Sequence, residues 1–498
     1  MRIPFPQRKG VRLLATGLIC LAGAAARAAE ATPSGDVAEG KELFAREWMA
    51  NDPRSQGGDG LGPVYNDTSC VACHNLGAPG GAGPVGKNAD IITAIPNRGA
   101  GGFAAQEPGF FRLAIASLIG ADEPTEPRPA AKPRPPHTGE LVKLHAGFRT
   151  ARSVVLHRYG TEAGYEAWRL QMVGLSGFGG LGGEQDRIKT MMRFSGPLAN
   201  QGRQVQAGEF TVVQSQRNPT ALFGAGLIDS ISDETLEAAA AVPHPGYPEI
   251  KGRVSRLKGG KIGRFGWKAQ TPSLDGFVRT ACAVELGLES PGHHQGGLPQ
   301  AADRKATGPD LTDGQCASLV AYVRALPSPA VIEASLPQEA EQLAKGRDAF
   351  AGAGCATCHT RKLGAVDGIY SDLLLHDMGQ DLGDVGQYSV FDPNSNEPDI
   401  IDEDTIASQD ATPDTEKKPV LGAARLEWRT PPLWGFRDSG PYMHDGRAST
   451  LDEAVALHGG QAATSTSKYF ALSHQERLTL QAFLKSLVAP TTIARAGD

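Results

Sequence analysis

The pentapeptide C-x-x-C-H occurs twice, as Cys70-Val71-Ala72-Cys73-His74 and as Cys355-Ala356-Thr357-Cys358-His359. Two thiols three residues apart reach the two vinyl groups of one porphyrin, and the histidine that follows reaches the iron from below. Each motif therefore reads as the attachment sequence of a c-type haem. Two motifs call for two covalently bound haem c groups, with His74 and His359 as iron ligands. A thioredoxin-like redox pair would need a βαβ context that the flanking residues do not supply, and a zinc site would have to draw on both motifs.

The organisation around the motifs repeats. Gly40 to Trp48 and Leu343 to Gly354 read as helices running into a glycine-marked turn, with Leu343 and Phe350 on one face. Residues 311–326 and 472–487 match without a gap at a constant offset of 161, and Pro329 and Pro490 follow at the same offset. Thr312 with Gln315 and Ser473 with Glu476 are capping boxes, each opening an amphipathic helix that a proline stops. The expected fold is mainly α, with two cytochrome c-like haem domains, residues 29–340 and 341–498. The first carries long insertions, because about 240 residues separate its motif from its closing helix, against about 115 in the second. Within these, Glu123 to His137 is Pro-rich and reads as an extended segment, and Phe391 to Val420 reads as an acidic loop.

Residues 1–28 read as a secretory signal peptide: a basic start, an apolar run from Leu13 to Ala26, and Ala26-Arg27-Ala28 as the cleavage site. That apolar run is short for a membrane span, so the expectation is an exported, periplasmic protein without a transmembrane segment. Its loss takes the formal charge from −6 to −11, since it holds five basic residues and no acidic one. Nucleic acid is not an expected partner of so acidic a chain. Cys282 and Cys316 remain outside the motifs and are expected as a disulfide in an oxidising compartment, with buried thiols as the alternative.

Several segments carry a resemblance to a known family: Tyr370 to Gly379, Glu427 to Gly435, Tyr442-Met443-His444-Asp445-Gly446-Arg447-Ala448, His458-Gly459-Gly460, and Gly263 to Ala269 with Pro272-Ser273-Leu274. They resemble the exported di-haem oxidoreductases of peroxidase type, which are similar to bacterial di-haem cytochrome c peroxidases, the methylamine-utilisation di-haem enzyme and the rubber oxygenases. The resemblance implies an electron-transfer haem in the second domain and a peroxide- or oxygen-reactive haem in the first. It implies His458 as sixth ligand of the second iron, where relatives hold Met, Tyr or His, with Met443 as the alternative. It implies His444 and Arg447 as haem-binding residues.

For the first haem, the resemblance implies Trp267 as the aromatic between the haems and Glu285 as the carboxylate that moves protons during oxygen-oxygen cleavage. Phe277 stands where the peroxidases hold a Gln. No histidine lies between His74 and His137, where peroxidases carry one that blocks the iron at rest; His293 and His294 are alternative sixth ligands. The implied activity is peroxide reduction, with a small redox donor protein or electron carrier and hydrogen peroxide or another small oxidant as partners. The alternatives are an electron-transfer cytochrome without peroxidase activity and a di-haem oxygenase or oxidase.

Overall fold

The computed structural model describes residues 35–96, 139–149, 151–175, 204–299, 305–332, 334–388 and 421–490. The expected signal peptide, the Pro-rich stretch Glu123 to His137 and the acidic stretch Phe391 to Val420 lie outside the described residues. No helix among the described residues is long and apolar enough to cross a membrane.

Helix α1 (Val37–Ala45) starts earlier than the expected Gly40, because the Asp36 carboxylate accepts from the amides of Ala38 and Glu39 at 2.7 and 3.3 Å. The first motif forms a single helical turn, α2 (Cys70–Cys73), capped by Ser69. Then the chain departs from helix. Strands β1 (Ala89–Pro96), β2 (Ser153–Leu156), β3 (Gln204–Ala207) and β4 (Phe210–Arg217) form an antiparallel sheet in the order β2-β1-β4-β3. Ile92 and Ala94, Val154 and Leu156, and Phe210 and Val212 alternate onto one face over Leu141 and Phe148. This sheet corrects the expectation of a mainly α chain: part of the long first insertion is β structure, rich in Ile, Val and Thr.

Helix α3 (Leu274–Glu285) is capped by Ser273, and α4 (Asp313–Arg324) opens on the capping box of Thr312 and Gln315. Helix α5 (Pro337–Gly352) leads through Gly354, at φ 92°, into the second motif. There a Cβ would lie 2.4 Å from the Tyr247 ring, so both the turn and the close approach require glycine. Strands β5 (Leu375–Asp377) and β6 (Glu427–Arg429) pair antiparallel. Helix α6 (Leu451–Ala456) precedes the closing helix α7 (His474–Lys485), which opens on the capping box of Ser473 and Glu476.

The internal repeat is a repeat of packing. Helix α1 crosses α4, and α5 crosses α7. At each crossing a glycine lets the backbones touch: a Cβ on Gly40 would lie 1.9 Å from the Ser318 carbonyl oxygen, and one on Gly346 would lie 2.1 Å from that of Thr479. Four residues after each glycine a phenylalanine meets an aromatic ring of the closing helix, Phe44 on Tyr322 at 5.2 Å and Phe350 on Phe483 at 5.6 Å. Ser318 and Thr479, like Tyr322 and Phe483, stand at the offset of 161.

Cys282 and Cys316 are free thiols rather than the expected disulfide. Both are buried in the apolar core formed with Leu43, Phe44, Val278 and Leu319, and burial pushes both thiols up from their ordinary value, so they pack there uncharged.

Candidate functional site

Three histidines share one hydrogen-bond pattern. His74 Nδ1 lies 3.0 Å from the carbonyl oxygen of Thr220 and 3.2 Å from that of Gly81. His359 Nδ1 lies 3.0 Å from the carbonyl of Tyr370, and His458 Nδ1 lies 2.7 Å from that of Ala454. An imidazole that donates from Nδ1 to a carbonyl leaves an unprotonated Nε2, which an iron ligand needs. Burial lowers the proton affinity of all three, that of His359 to about 4, and so favours the neutral form that binds metal.

Cys355, Cys358, His359 and His458 border one cavity of about 290 Å³, walled there by Phe350, Leu451, Val455, Tyr469, Leu480 and Leu484. Two thiols, two imidazoles with bare Nε2 atoms and an aromatic and aliphatic wall are a donor set and surface that fit a bis-histidine haem c. Met443, in the left-handed region at φ 73°, borders the same space. His376 also faces it: its Nε2 lies 2.8 Å from Asp372 and its Nδ1 2.9 Å from Gln461. Burial works against charge on His376, but the hydrogen bond and charge of Asp372 overcome it and hold the imidazole well above its ordinary value.

The cavity continues to Thr220, whose carbonyl holds His74, and to Leu222, Phe265 and Phe277. Trp267 and His444 also border it. The Trp267 indole donates to the Asn218 carbonyl at 2.9 Å, and Asn218 is two residues before Thr220. The Asn218 amide in turn donates to the His444 carbonyl at 2.7 Å. The Trp267 ring stands edge-on to His444 at 6.5 Å, and His444 stacks on Trp428 at 3.8 Å. Burial holds His444 at about 3, a neutral ring packed between two indoles. Arg447 binds Asp445 at 2.6 Å and does not border the cavity.

Glu285 is the last residue of α3. Asn66 donates to its Oε2 at 2.7 Å, and the Tyr388 hydroxyl bonds its Oε1. Asn66 stands four residues before Cys70, and the charge of Glu285 acts on the Cys73 thiol, so the carboxylate lies beside the first motif. Burial raises the proton affinity of Glu285, opposed by the hydrogen bonds from Tyr388 and Asn66. A carboxyl raised toward neutrality suits acid-base work. Phe277 stacks on Phe265 at 5.5 Å, which makes the wall apolar at the position where the resemblance implied Gln. His294 Nδ1 lies 2.5 Å from Glu289, His293 turns back onto Ser290, and neither borders the cavity.

Tyr388, Asn66, Asn218, Trp428 and the Thr220 carbonyl were not found from the sequence. Asn66 could have been sought from its place just before the motif; the others come from distant segments with no signature of their own.

Residues 412–487 match the family described as di-haem oxidoreductase, putative peroxidase. In this segment the chain is similar to the di-haem oxidoreductases. It is 34% identical over 144 residues to the methylamine utilization protein MauG of Methylorubrum extorquens, covering 28% of this chain and 31% of that protein. It is 42% identical over 66 residues to the cytochrome-c peroxidase IdrP1 of Denitromonas iodatirespirans, covering 12% and 18%. The chain thus spans less than a third of the length of either relative. A solved MauG-like protein associated with microbial copper homeostasis aligns over 53% of this chain and 91% of its own, at 20% identity and a TM-score of 0.28.

Proposed function

We propose that this di-haem oxidoreductase is exported, carries two covalent haem c groups and reduces hydrogen peroxide. Residues 29–340 bear the first haem on Cys70, Cys73 and His74; residues 341–498 bear the second on Cys355, Cys358 and His359, with His458 as sixth ligand. Electrons from a small redox donor protein enter at the second site, pass Trp267 and are used at the first. The haems supply one-electron chemistry and an iron that binds the oxidant. The protein residues do the rest. Glu285 takes one peroxide proton and returns it to the departing oxygen, so that two electrons and two protons convert hydrogen peroxide to two waters. His376, whose Asp372 partner favours its protonated form, would offer a hydrogen-bond donor to the cofactor from the cavity wall.

The observation that carries this reading is the position of Trp267. One hydrogen bond and two residues of main chain join it to the carbonyl holding His74, and its ring meets His444 in the cavity that His359 and His458 share. Stopped-flow absorbance after mixing the reduced protein with hydrogen peroxide tests it. Rapid oxidation of both haems is expected, and haems that stay reduced overturn the assignment. The stacked Phe265 and Phe277 favour a second reading, an oxygenase or oxidase, because an apolar wall suits dioxygen better than peroxide. The same mixing against dioxygen separates the two.

A further inference from the structure

We propose that Tyr388 is a positioning residue for Glu285, reaching the first haem site from the sequence that follows the second motif and holding the carboxyl in its ionised, proton-accepting form. The inference rests on the reading of Glu285 as the acid-base group. Each oxygen of Glu285 meets one donor, the Tyr388 hydroxyl on Oε1 and the Asn66 amide on Oε2. An ionised carboxylate accepts both in full, whereas protonation removes acceptor capacity from one oxygen, so the pair of donors opposes protonation. Burial works in the other direction. The phenol is itself pushed well above its ordinary value by burial and by the charge of Glu285, so it remains a donor across the neutral range.

The other groups around Glu285 are Arg158, whose charge lowers its proton affinity, and Asp67, which raises it and is paired with Lys87. Cys73 feels its charge, and the His157 Nε2 lies 2.9 Å from the Val284 carbonyl on the same helix. All of these stay in place when the phenol oxygen is removed.

The segment before Tyr388 is pinned to the inserted sheet, which explains how the phenol comes to a fixed place. Arg217 at the end of β4 binds Asp384 at 2.8 Å and the Gly386 carbonyl, and the Gln387 amide donates to Ser153 of β2 at 3.2 Å. Gly386 passes so close to β4 that a Cβ would lie 2.0 Å from the Ser215 hydroxyl oxygen. The Tyr388 ring packs against Ile91, Val155 and Val284. Phenylalanine at position 388 keeps that packing and loses only the donor.

The test compares Tyr388→Phe and Glu285→Gln with the wild-type holoprotein. Removing a donor from the ionised form raises the proton affinity of Glu285. The acid limb of the pH profile for peroxide oxidation of the reduced protein should therefore move up by about one pH unit, with the plateau at higher pH retained. Infrared difference spectroscopy of the carboxylic C=O stretch, assigned by its loss in Glu285→Gln, should titrate at a correspondingly higher pH in Tyr388→Phe, without reference to turnover. An infrared titration that is unmoved or lowered in Tyr388→Phe overturns the proposal. A wild-type rate and profile in Glu285→Gln instead removes Glu285 from catalysis, and the infrared titration still decides whether Tyr388 holds its charge.

Discussion

The two haem motifs sit in equivalent scaffolds but complete their sites from very different distances along the chain. At the second, the His359 carbonyl partner is Tyr370, eleven residues on, and the sixth-ligand candidate His458 is held by its own helix through Ala454. At the first, His74 has the nearby Gly81 carbonyl and in addition that of Thr220, 146 residues away, and the candidate catalyst Glu285 is gripped by Asn66 and by Tyr388 from beyond the second motif. The comparison teaches that both motifs share one helix crossing, while the long insertion brings distant groups to the first motif alone.

Breaking one motif at a time is the harshest test of that contrast. Cys70→Ala with Cys73→Ala should leave one covalent haem, and Cys355→Ala with Cys358→Ala should leave the other, each read as the loss of one haem mass from two in intact-mass spectrometry. Glu285→Gln should lower peroxide turnover by about 10²- to 10⁴-fold while both haems remain attached, because the asymmetry places the acid-base group at one site alone. His458→Met should change the other site alone, raising the potential of the second haem, since thioether ligation favours ferrous iron. An unchanged potential in a redox titration would point to Met443 instead. Trp267→Phe should slow electron transfer between the haems and spare carbon monoxide binding at the first.

The scaffold itself should respond equally in both halves. Gly40→Ala and Gly346→Ala each drive a Cβ into a backbone carbonyl of the closing helix, and each should cost about 1–3 kcal/mol in denaturant unfolding. A large loss at one glycine and none at the other would show that the two crossings are not equivalent.

Much of this was legible from local patterns. Both capping boxes formed where Thr312 with Gln315 and Ser473 with Glu476 announced them, and the motif histidines His74 and His359 are each held at Nδ1 by a main-chain carbonyl. The offset of 161 announced two equivalent closing helices, and the structure adds that Ser318 and Thr479 play one part twice. The β sheet was missed because its four strands are spread over residues 89–217, and alternation over four to eight residues is a weak signal inside a long insertion. The disulfide was wrongly expected because redox compartment permits a bond but only geometry makes one; Cys282 and Cys316 are packed as apolar thiols.

The spacing of the paired thiols and their histidine, helix initiation and the glycine-phenylalanine spacing of α1 and α5 depend on residues within a turn or two of each other, so the sequence alone determined them. The pairing of Glu285 with Tyr388, and of Trp267 with Asn218 and His444, depends on how an inserted sheet lets Arg217 grip the segment from Asp384 to Gly386. Those contacts join residues up to 177 positions apart, and no local preference encodes them; they form because burying the faces of the sheet and of the helices together requires the donors and acceptors taken inside to find partners.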